Sequence, residues 1–424
     1  MPSNKFSLYF YKIFKWEPSN IHDSIVPVLI LNWITGLNMF EYPLSKARPF
    51  FTFFYVLLLN LSYWIVVLNV RSMQNHDEVR QIGRNIFILI VYINSCVATI
   101  SIVFGWINYK AFKANLQKLE SLDGALENVG IPHKYRRIFI SSMKKLFIWL
   151  LMAVSLIYSD LNLFLTMYDM SSSLNLLYLF HFPLQLNSVV DFTFTALVTC
   201  VERRFASINS LLEKQLPVYN EIEAAKELFP KHNQVHIIMA TKESNFTNNS
   251  EQLTMLILVR YLHMELSKVA WELNRIYEKQ LMMRMGSHFM IITGLLYNLF
   301  TLIFFVKETF NDTLRIIISN AIWFGVYCYR FLKLNSTCAR VSSEARRTRN
   351  ILFELKNTTS DKVIIEEIEE FALQLTQRPL AFSAGGLSTL DYSFVRAFIG
   401  SVTTYLVLLI QFSPEMRKCN RAKN

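Results

Sequence analysis

Two carboxylates, Asp160 and Asp191, stand inside apolar blocks of this chain. A carboxylate surrounded by hydrocarbon is costly unless it faces protein or water, so each is a functional suspect. The same blocks and their neighbours carry Tyr158, Asn162, His181, Gln185, Asn187, Tyr297, Asn298, Ser319, Asn320 and Trp323. Carboxylates, amides and imidazole supply hydrogen bonds, and flat rings cover apolar faces, so this mixture suits sugars, alkaloids and amines alike. Taken singly, each residue is accounted for by polar contacts between helices. Taken as one layer, they read as a lined pocket.

A second pattern lies near the end of the chain. Thr404, Leu408 and Gln411 share a face at helical spacing and precede Phe412. Copies of such a face around an axis would give alternating polar and apolar rings. Apolar constrictions gate by dewetting, and a ring of amides replaces part of an ion's hydration. Periodicity alone also fits an ordinary packing helix.

Enzyme chemistry finds no support. The sequence holds no phosphate-binding glycine loop, no HExxH, no paired CxxC and no GxSxG. Gly385 and Gly386 read as a hinge or a close helix contact, and His232 and His236 as solvated loop residues. The five cysteines, Cys96, Cys200, Cys328, Cys338 and Cys419, have neither metal nor disulfide spacing and are expected as buried free thiols. No cofactor or metal is implied.

The elements that must position these residues are membrane helices. The 424 residues are 52% hydrophobic and 18% charged, below the roughly 25% charge of soluble chains. Spanning hydrocarbon takes about 20 mostly apolar residues. Seven segments qualify, near 50–70, 86–107, 145–168, 176–200, 286–306, 314–333 and 394–412. A weaker one at 25–40, broken by Pro27, Asn32 and Gly36, is expected as a short re-entrant helix. The N-terminus has no cleavable signal pattern, which leaves the first span to direct insertion.

With seven crossings, about 32 Lys and Arg fall beside the N-terminus and the even loops, against about 9 on the other side, which puts the N-terminus inside. The +11 net charge is thus a topological signal rather than a nucleic-acid surface. The tail, with Arg417, Lys418, Arg421 and Lys423, falls outside in this scheme, against the usual preference. Among the sequons only Asn311 is placed outside.

The inner segments carry apolar residues at steps of three and four, which marks amphipathic helices. They run over 201–216 (Phe205, Ile208, Leu212, Leu216), 251–285 (Leu262, Leu266, Val269, Leu273, Ile276, Leu281), 334–356 (Leu334, Cys338, Val341, Ala345, Leu352, Leu355) and 361–376 (Ile364, Ile368, Phe371, Leu375). The polar stretch 217–250 lacks that period and is expected as a mobile loop. The expected class is therefore all-α. Residues 1–49 form the inner N-terminus, 50–200 four spans, 201–285 helix extensions with the loop, 286–333 two spans, 334–393 an anchor, 394–412 the last span and 413–424 a short outer tail.

The closing run Thr404-Tyr405-Leu406-Val407-Leu408-Leu409-Ile410-Gln411-Phe412 resembles the TYhhhhhQF signature of insect gustatory receptors, where h is apolar. Gly386-Leu387, Asp391 and Gly400 to Thr404 are similar to the stretch that leads into it. This resemblance implies a plasma-membrane receptor of sensory neurons that is also a ligand-gated, weakly selective cation channel. It implies four copies, or copies mixed with related subunits, around the last span, in contact with membrane lipid. Gln411 and Phe412 then match the gate, Tyr405 a helix-contact position, and the outer polar layer the tastant pocket. Leu406 stands where the main sugar-receptor branch tends to carry an acidic residue, which leaves fructose-type, bitter-type and broadly expressed branches open. A G-protein-coupled receptor would show an Asp-Arg-Tyr-type triplet after span three and the opposite orientation. A transporter would show internal duplication. Neither sign is present.

Overall fold

A computed structural model describes residues 18–41, 47–132, 135–166, 168–214, 234–305 and 310–412, apart from 74–80. Eleven helices and one two-stranded hairpin make up the described residues. Two short N-terminal helices come first, α1 (Ile21–Ser24) and α2 (Val26–Ile34). They are followed by α3 (Pro49–Met73), α4 (Gln81–Ile107), α5 (Tyr109–Asn128), α6 (Tyr135–Leu165) and α7 (Met170–Glu213). Then come α8 (Gln234–Phe305), α9 (Phe310–Thr358), α10 (Lys362–Gln377), β1 (Ser383–Ala384), β2 (Ser388–Thr389) and α11 (Tyr392–Gln411).

All seven expected spans lie within helices: α3, α4, α6, the first part of α7, the last part of α8, the first part of α9, and α11. Six of these helices are apolar and long enough to cross a bilayer by composition alone. The remaining one, α9, carries Arg315, Asn320 and Arg330 and owes its place to packing against α7 and α8. The chain is a multi-pass membrane protein.

The weak segment at 25–40 resolves into nine residues of α2, about 14 Å at helical rise, too short to cross about 30 Å of hydrocarbon. Gly36 follows the Thr35 C-cap of α2, with a φ of +71° that an L side chain rarely adopts. A Cβ there would also sit 2.4 Å from a Val56 methyl. Asn32 fixes α2 to α7 by donating from Nδ2 to Thr193 Oγ1 at 2.8 Å.

Three long helices continue beyond their apolar spans, and a separate fourth one packs with them, as the apolar periodicity predicts. Phe205, Ile208 and Leu212 of α7, Leu262, Leu266, Val269 and Leu273 of α8, and Leu334, Cys338, Val341, Leu352 and Leu355 of α9 are all buried. Ile364, Ile368 and Phe371 of α10 close the same core. Asp361 caps α10 by accepting from the Val363 N–H at 2.9 Å. Inside this anchor, Arg204 makes a bidentate pair with Asp123, and Tyr135 donates to the same carboxylate at 3.0 Å. His263 is wedged between the rings of Phe205 and Phe371.

Two features differ from expectation, and a third, the close helix contact expected at Gly385 and Gly386, takes the form of a hairpin turn. The basic stretch after span two forms α5, whose Tyr109, Phe112, Leu116, Leu119, Leu122 and Leu126 are buried, with its lysines spread over the other faces. The expected loop at 217–250 is helical backbone from Gln234 onward, as the first turns of α8; 215–233 lies outside the described residues. Gly385 and Gly386, at φ of +60° and +70°, turn the β1–β2 hairpin. Gly385 donates its N–H to Glu278 O at 3.2 Å, and a Cβ there would meet Met282 Sδ at 2.5 Å, so the glycine permits close packing on α8. Of the thiols, Cys200 and Cys338 are buried, Cys328 is half-buried and Cys96 is exposed; Cys419, the basic tail and His232 lie outside the described residues, and no side chain is described at His236 or Asn311.

Candidate functional site

Helix α7 lies at the centre of the subunit, and 67% of its most apolar stretch is buried, against 11% for α6 and 17% for α11. Asp169 starts α7, accepting from the N–H groups of Ser171 and Ser172 at 3.1 and 3.3 Å. That start fixes the register of His181, Gln185, Asn187 and Asp191 along the helix. Every one of these is buried or half-buried.

Asp160 of α6 is the hub of one cluster. It is 3% exposed. His181 Nε2 of α7 donates to its Oδ2 at 2.9 Å. Trp323 Nε1 of α9 donates to both carboxylate oxygens at 3.2 Å, and Ser319 Oγ approaches Oδ1 at 3.5 Å. Phe180 stands edge-on to the Trp323 indole at 5.1 Å. With Nε2 donating, the His181 Nδ1 lone pair is an acceptor, and it is buried with no hydrogen-bond partner among the described residues. One turn away along α9, Asn320 accepts from Asn298 Nδ2 of α8 at 3.2 Å and donates to Leu295 O at 2.9 Å. Tyr297 is half-buried beside Asn298.

Asp191 belongs to a different cluster. Its Oδ2 accepts from Arg330 Nε and Nη2 of α9 at 3.1 and 2.6 Å, while Arg284 Nε of α8 lies 3.2 Å from Oδ1. Arg284 is 2% exposed at its side chain. The Arg330 guanidinium also lies over the Tyr327 ring. Asn94 of α4 joins this cluster, donating from Nδ2 to Tyr327 OH at 2.9 Å, while Asn187 donates to the Asn94 carbonyl at 3.1 Å. His288 Nδ1 donates to Arg284 O at 2.7 Å. A carboxylate held between two arginines is a structural cross-link of three helices, not an open ligand contact.

The structure thus brings Asp160, His181, Ser319 and Trp323 together and places Asn298 and Asn320 nearby. It puts Asp191 in the charged cross-link. Gln185 is half-buried between the two clusters along α7. Tyr158 is 67% exposed and Asn162 is also exposed, so neither converges with Asp160. The helix explains this, because positions 158 and 162 are four apart on one face and 160 is turned about 160–200° from both.

Helix α11 begins at Asp391, whose Oδ1 accepts from the N–H groups of Ser393 and Phe394, both at 2.9 Å. Among its residues only Val395, Phe398 and Val402 are buried. Phe398 stacks on Phe331 of α9, with centroids 4.0 Å apart. Tyr405 stands edge-on to Phe289 of α8 at 5.3 Å. Thr404, Leu408, Gln411 and Phe412 are exposed. The Thr404 hydroxyl donates to Gly400 O at 3.0 Å, so its stripe is less polar than its residue type suggests.

The family model described as "7tm Chemosensory receptor" matches residues 26–416, nearly the whole described chain. The chain belongs to the 7tm chemosensory receptor family. Among Drosophila melanogaster relatives, the chain is 26% identical to a protein assigned as gustatory receptor 2a over 51% of this chain and 54% of that one. It is 22% identical to one assigned as gustatory receptor 28b, over 70% of this chain and 63% of the relative. A 91-residue stretch, 22% of this chain and 21% of the relative, is 30% identical to the gustatory receptor for sugar taste 43a. The matches therefore span between about half and two thirds of the first two relatives. The fold is similar to that of the insect olfactory receptor OR5 from Machilis hrabei, solved in complex with eugenol. That likeness has a TM-score of 0.58 at 16% identity and covers 93% of this chain and 99% of that one.

Sequence reasoning missed Arg284, Arg330, His288, Asn94 and Tyr327. One signal was available: Arg330 is a cation within a span, and an intramembrane carboxylate calls for such a partner. Arg284 lies just before span five and 93 positions from Asp191.

Proposed function

We propose that this chain is a tastant-gated, weakly selective cation channel of the sensory-neuron plasma membrane, with four copies around α11. The observation that carries this reading is the packing of α11. It is held to its own subunit by three buried side chains, while Thr404, Leu408 and Gln411 are exposed. A polar-and-apolar face left open on the last membrane helix suits a shared conduit for ions.

The ligand pocket is the Asp160 cluster, with Gln185, Tyr297, Asn298 and Asn320 around it. Asp160 accepts hydrogen bonds, and the vacant His181 Nδ1 lone pair accepts one more. This favours a small ligand bearing hydroxyl or amine donors beside an apolar face for Phe180 and Trp323. Eugenol in the Machilis receptor is an aromatic molecule with a hydroxyl, in line with such a site.

The route to the pore is short. Trp323 contacts ligand, and Phe331, eight residues further along α9, stacks on Phe398 of α11. Eight helical residues span about 12 Å. A ligand that favours one position of α9 thereby favours one position of α11, to the extent that it binds the two states unequally. Whole-cell recording from cells expressing the full chain tests the reading. Tastant-evoked cation current that persists when G-protein signalling is blocked is expected, and second-messenger responses without current would refute it.

A further inference from the structure

At the inner end of α6 an open groove of about 800 Å³ lies against α7. Five cations line it: Arg136, Arg137, Lys144 and Lys145 of α6 and Arg203 of α7. None of the five forms an ion pair with a described residue. Two carboxylates on the neighbouring helices are engaged elsewhere, Asp123 by Arg204 and Glu202 by Arg340. Arg203 has a neutral partner only, donating from Nη2 to Ser141 Oγ at 3.1 Å. Lys333 adds further positive charge near Lys145. The groove thus concentrates positive charge that the protein does not neutralise.

The neighbouring surface is apolar. Arg137, Ser141, Lys144, Ile148 and Leu151 follow one another at steps of three and four, so they form one stripe along α6. Ile148 both lines the groove and belongs to the exposed set with Phe147, Leu150, Leu151 and Val154. From Lys144 to Leu151 the helix rises about 10 Å. Cations for a headgroup therefore pass directly into a wall for acyl chains, at the depth where span three begins. A dissolved polyanion would use the first half of this surface only, and a neutral lipid the second half only.

We propose that this groove is a binding site for an anionic phospholipid of the inner leaflet, with a multiply phosphorylated headgroup held by Arg136, Arg137, Lys144 and Arg203. Because α7 also carries His181 and Asp191, a lipid bridging α6 and α7 braces the helices that support the ligand pocket. The assignment stands on the groove itself and does not depend on the channel reading.

Native mass spectrometry of the detergent-purified full chain provides the test. The probes are a short-chain phosphatidylinositol bisphosphate, phosphatidylcholine of equal chain length, and free inositol trisphosphate. The bisphosphate lipid should bind at least about tenfold tighter than phosphatidylcholine, and weaken with salt. Joint replacement R136A, R137A and K144A should lower that affinity by about tenfold or more, whereas R136K with R137K should retain most of it. R346A with K362A, which removes two cations elsewhere in the anchor, should change nothing. Equal binding of phosphatidylcholine, an undiminished affinity in the triple variant, or free inositol trisphosphate binding as tightly as the lipid would each overturn the proposal. A triple variant that fails to fold leaves the paired lysine variant and the two lipid controls to decide.

Discussion

Asp160 and Asp191 are alike in sequence: each is a carboxylate within an apolar span. Their surroundings make them different in kind. Asp160 meets an indole, an imidazole and a hydroxyl, donors that a ligand's own hydroxyl or amine can join or replace. Asp191 meets two guanidinium groups from two other helices. The first arrangement leaves a vacant acceptor at His181, whereas the second commits its carboxylate entirely to holding α7, α8 and α9 together. Charge in a membrane protein can thus serve recognition or cohesion, and the partners decide which.

The comparison breaks most easily at Asp191. Asp191→Ala strands two cations among packed helices, and loss of one member of a buried pair costs about 3–5 kcal/mol. We expect little folded protein, read as loss of a monodisperse peak in detergent and a fall in cell-surface labelling. Normal yield and thermal stability of this variant would move Asp191 back among the pocket residues. Asp160→Asn should fold and reach the surface, because an amide still accepts from Trp323 and His181. It should shift the tastant dose–response curve by about tenfold, equivalent to about 1.4 kcal/mol of lost charge-assisted bonding. A shift below twofold would empty the proposed pocket of its hub.

A smaller effect is expected in the anchor. Burial pulls the His263 imidazole down to about 4 from its ordinary value of 6.5. The folded protein keeps it neutral while the unfolded chain takes up a proton below about pH 6.5. Its contribution is therefore present in full above pH 6.5 and lost as pH falls toward about 4. Thermal unfolding of wild type and His263→Phe should diverge least near neutrality and increasingly below pH 6, with wild type the more sensitive. Parallel pH curves would remove His263 as a source. Tyr158→Ala should be the mildest change, because the ring points away from the Asp160 cluster; a dose–response curve within twofold of wild type is expected, and a larger shift would mean that the outer face of α6 also touches ligand.

Much of the architecture was legible in the sequence because hydrocarbon imposes a length requirement and cores impose a period. The seven spans follow from the first rule. The buried faces of α7, α8, α9 and α10 beyond the membrane follow from the second, as Phe205, Leu266, Cys338 and Phe371 show. Helix α5 was obscured because Lys110, Lys113 and Lys118 made it look like a charged loop, although Phe112, Leu116 and Leu119 keep the helical step. Asp160, His181 and Trp323 could be placed in one layer, since span boundaries set depth. Direction around the helix is harder to read than depth. Tyr158 and Asn162 share the layer of Asp160 and face elsewhere. The partners of Asp191 were hidden for a third reason: Arg284 and Arg330 lie 93 and 139 positions away, and nothing local announces a contact between helices.

In the proposed reading α11 forms the ion pathway while the Asp160 cluster receives the ligand. Single-channel recording from bilayers containing the purified Gln411→Glu variant separates the two roles. A carboxylate placed on that face should raise unitary cation conductance or shift the reversal potential, with half-maximal tastant concentration unchanged. Conductance and reversal potential identical to wild type, in channels that still open to ligand, would place the pathway somewhere other than α11.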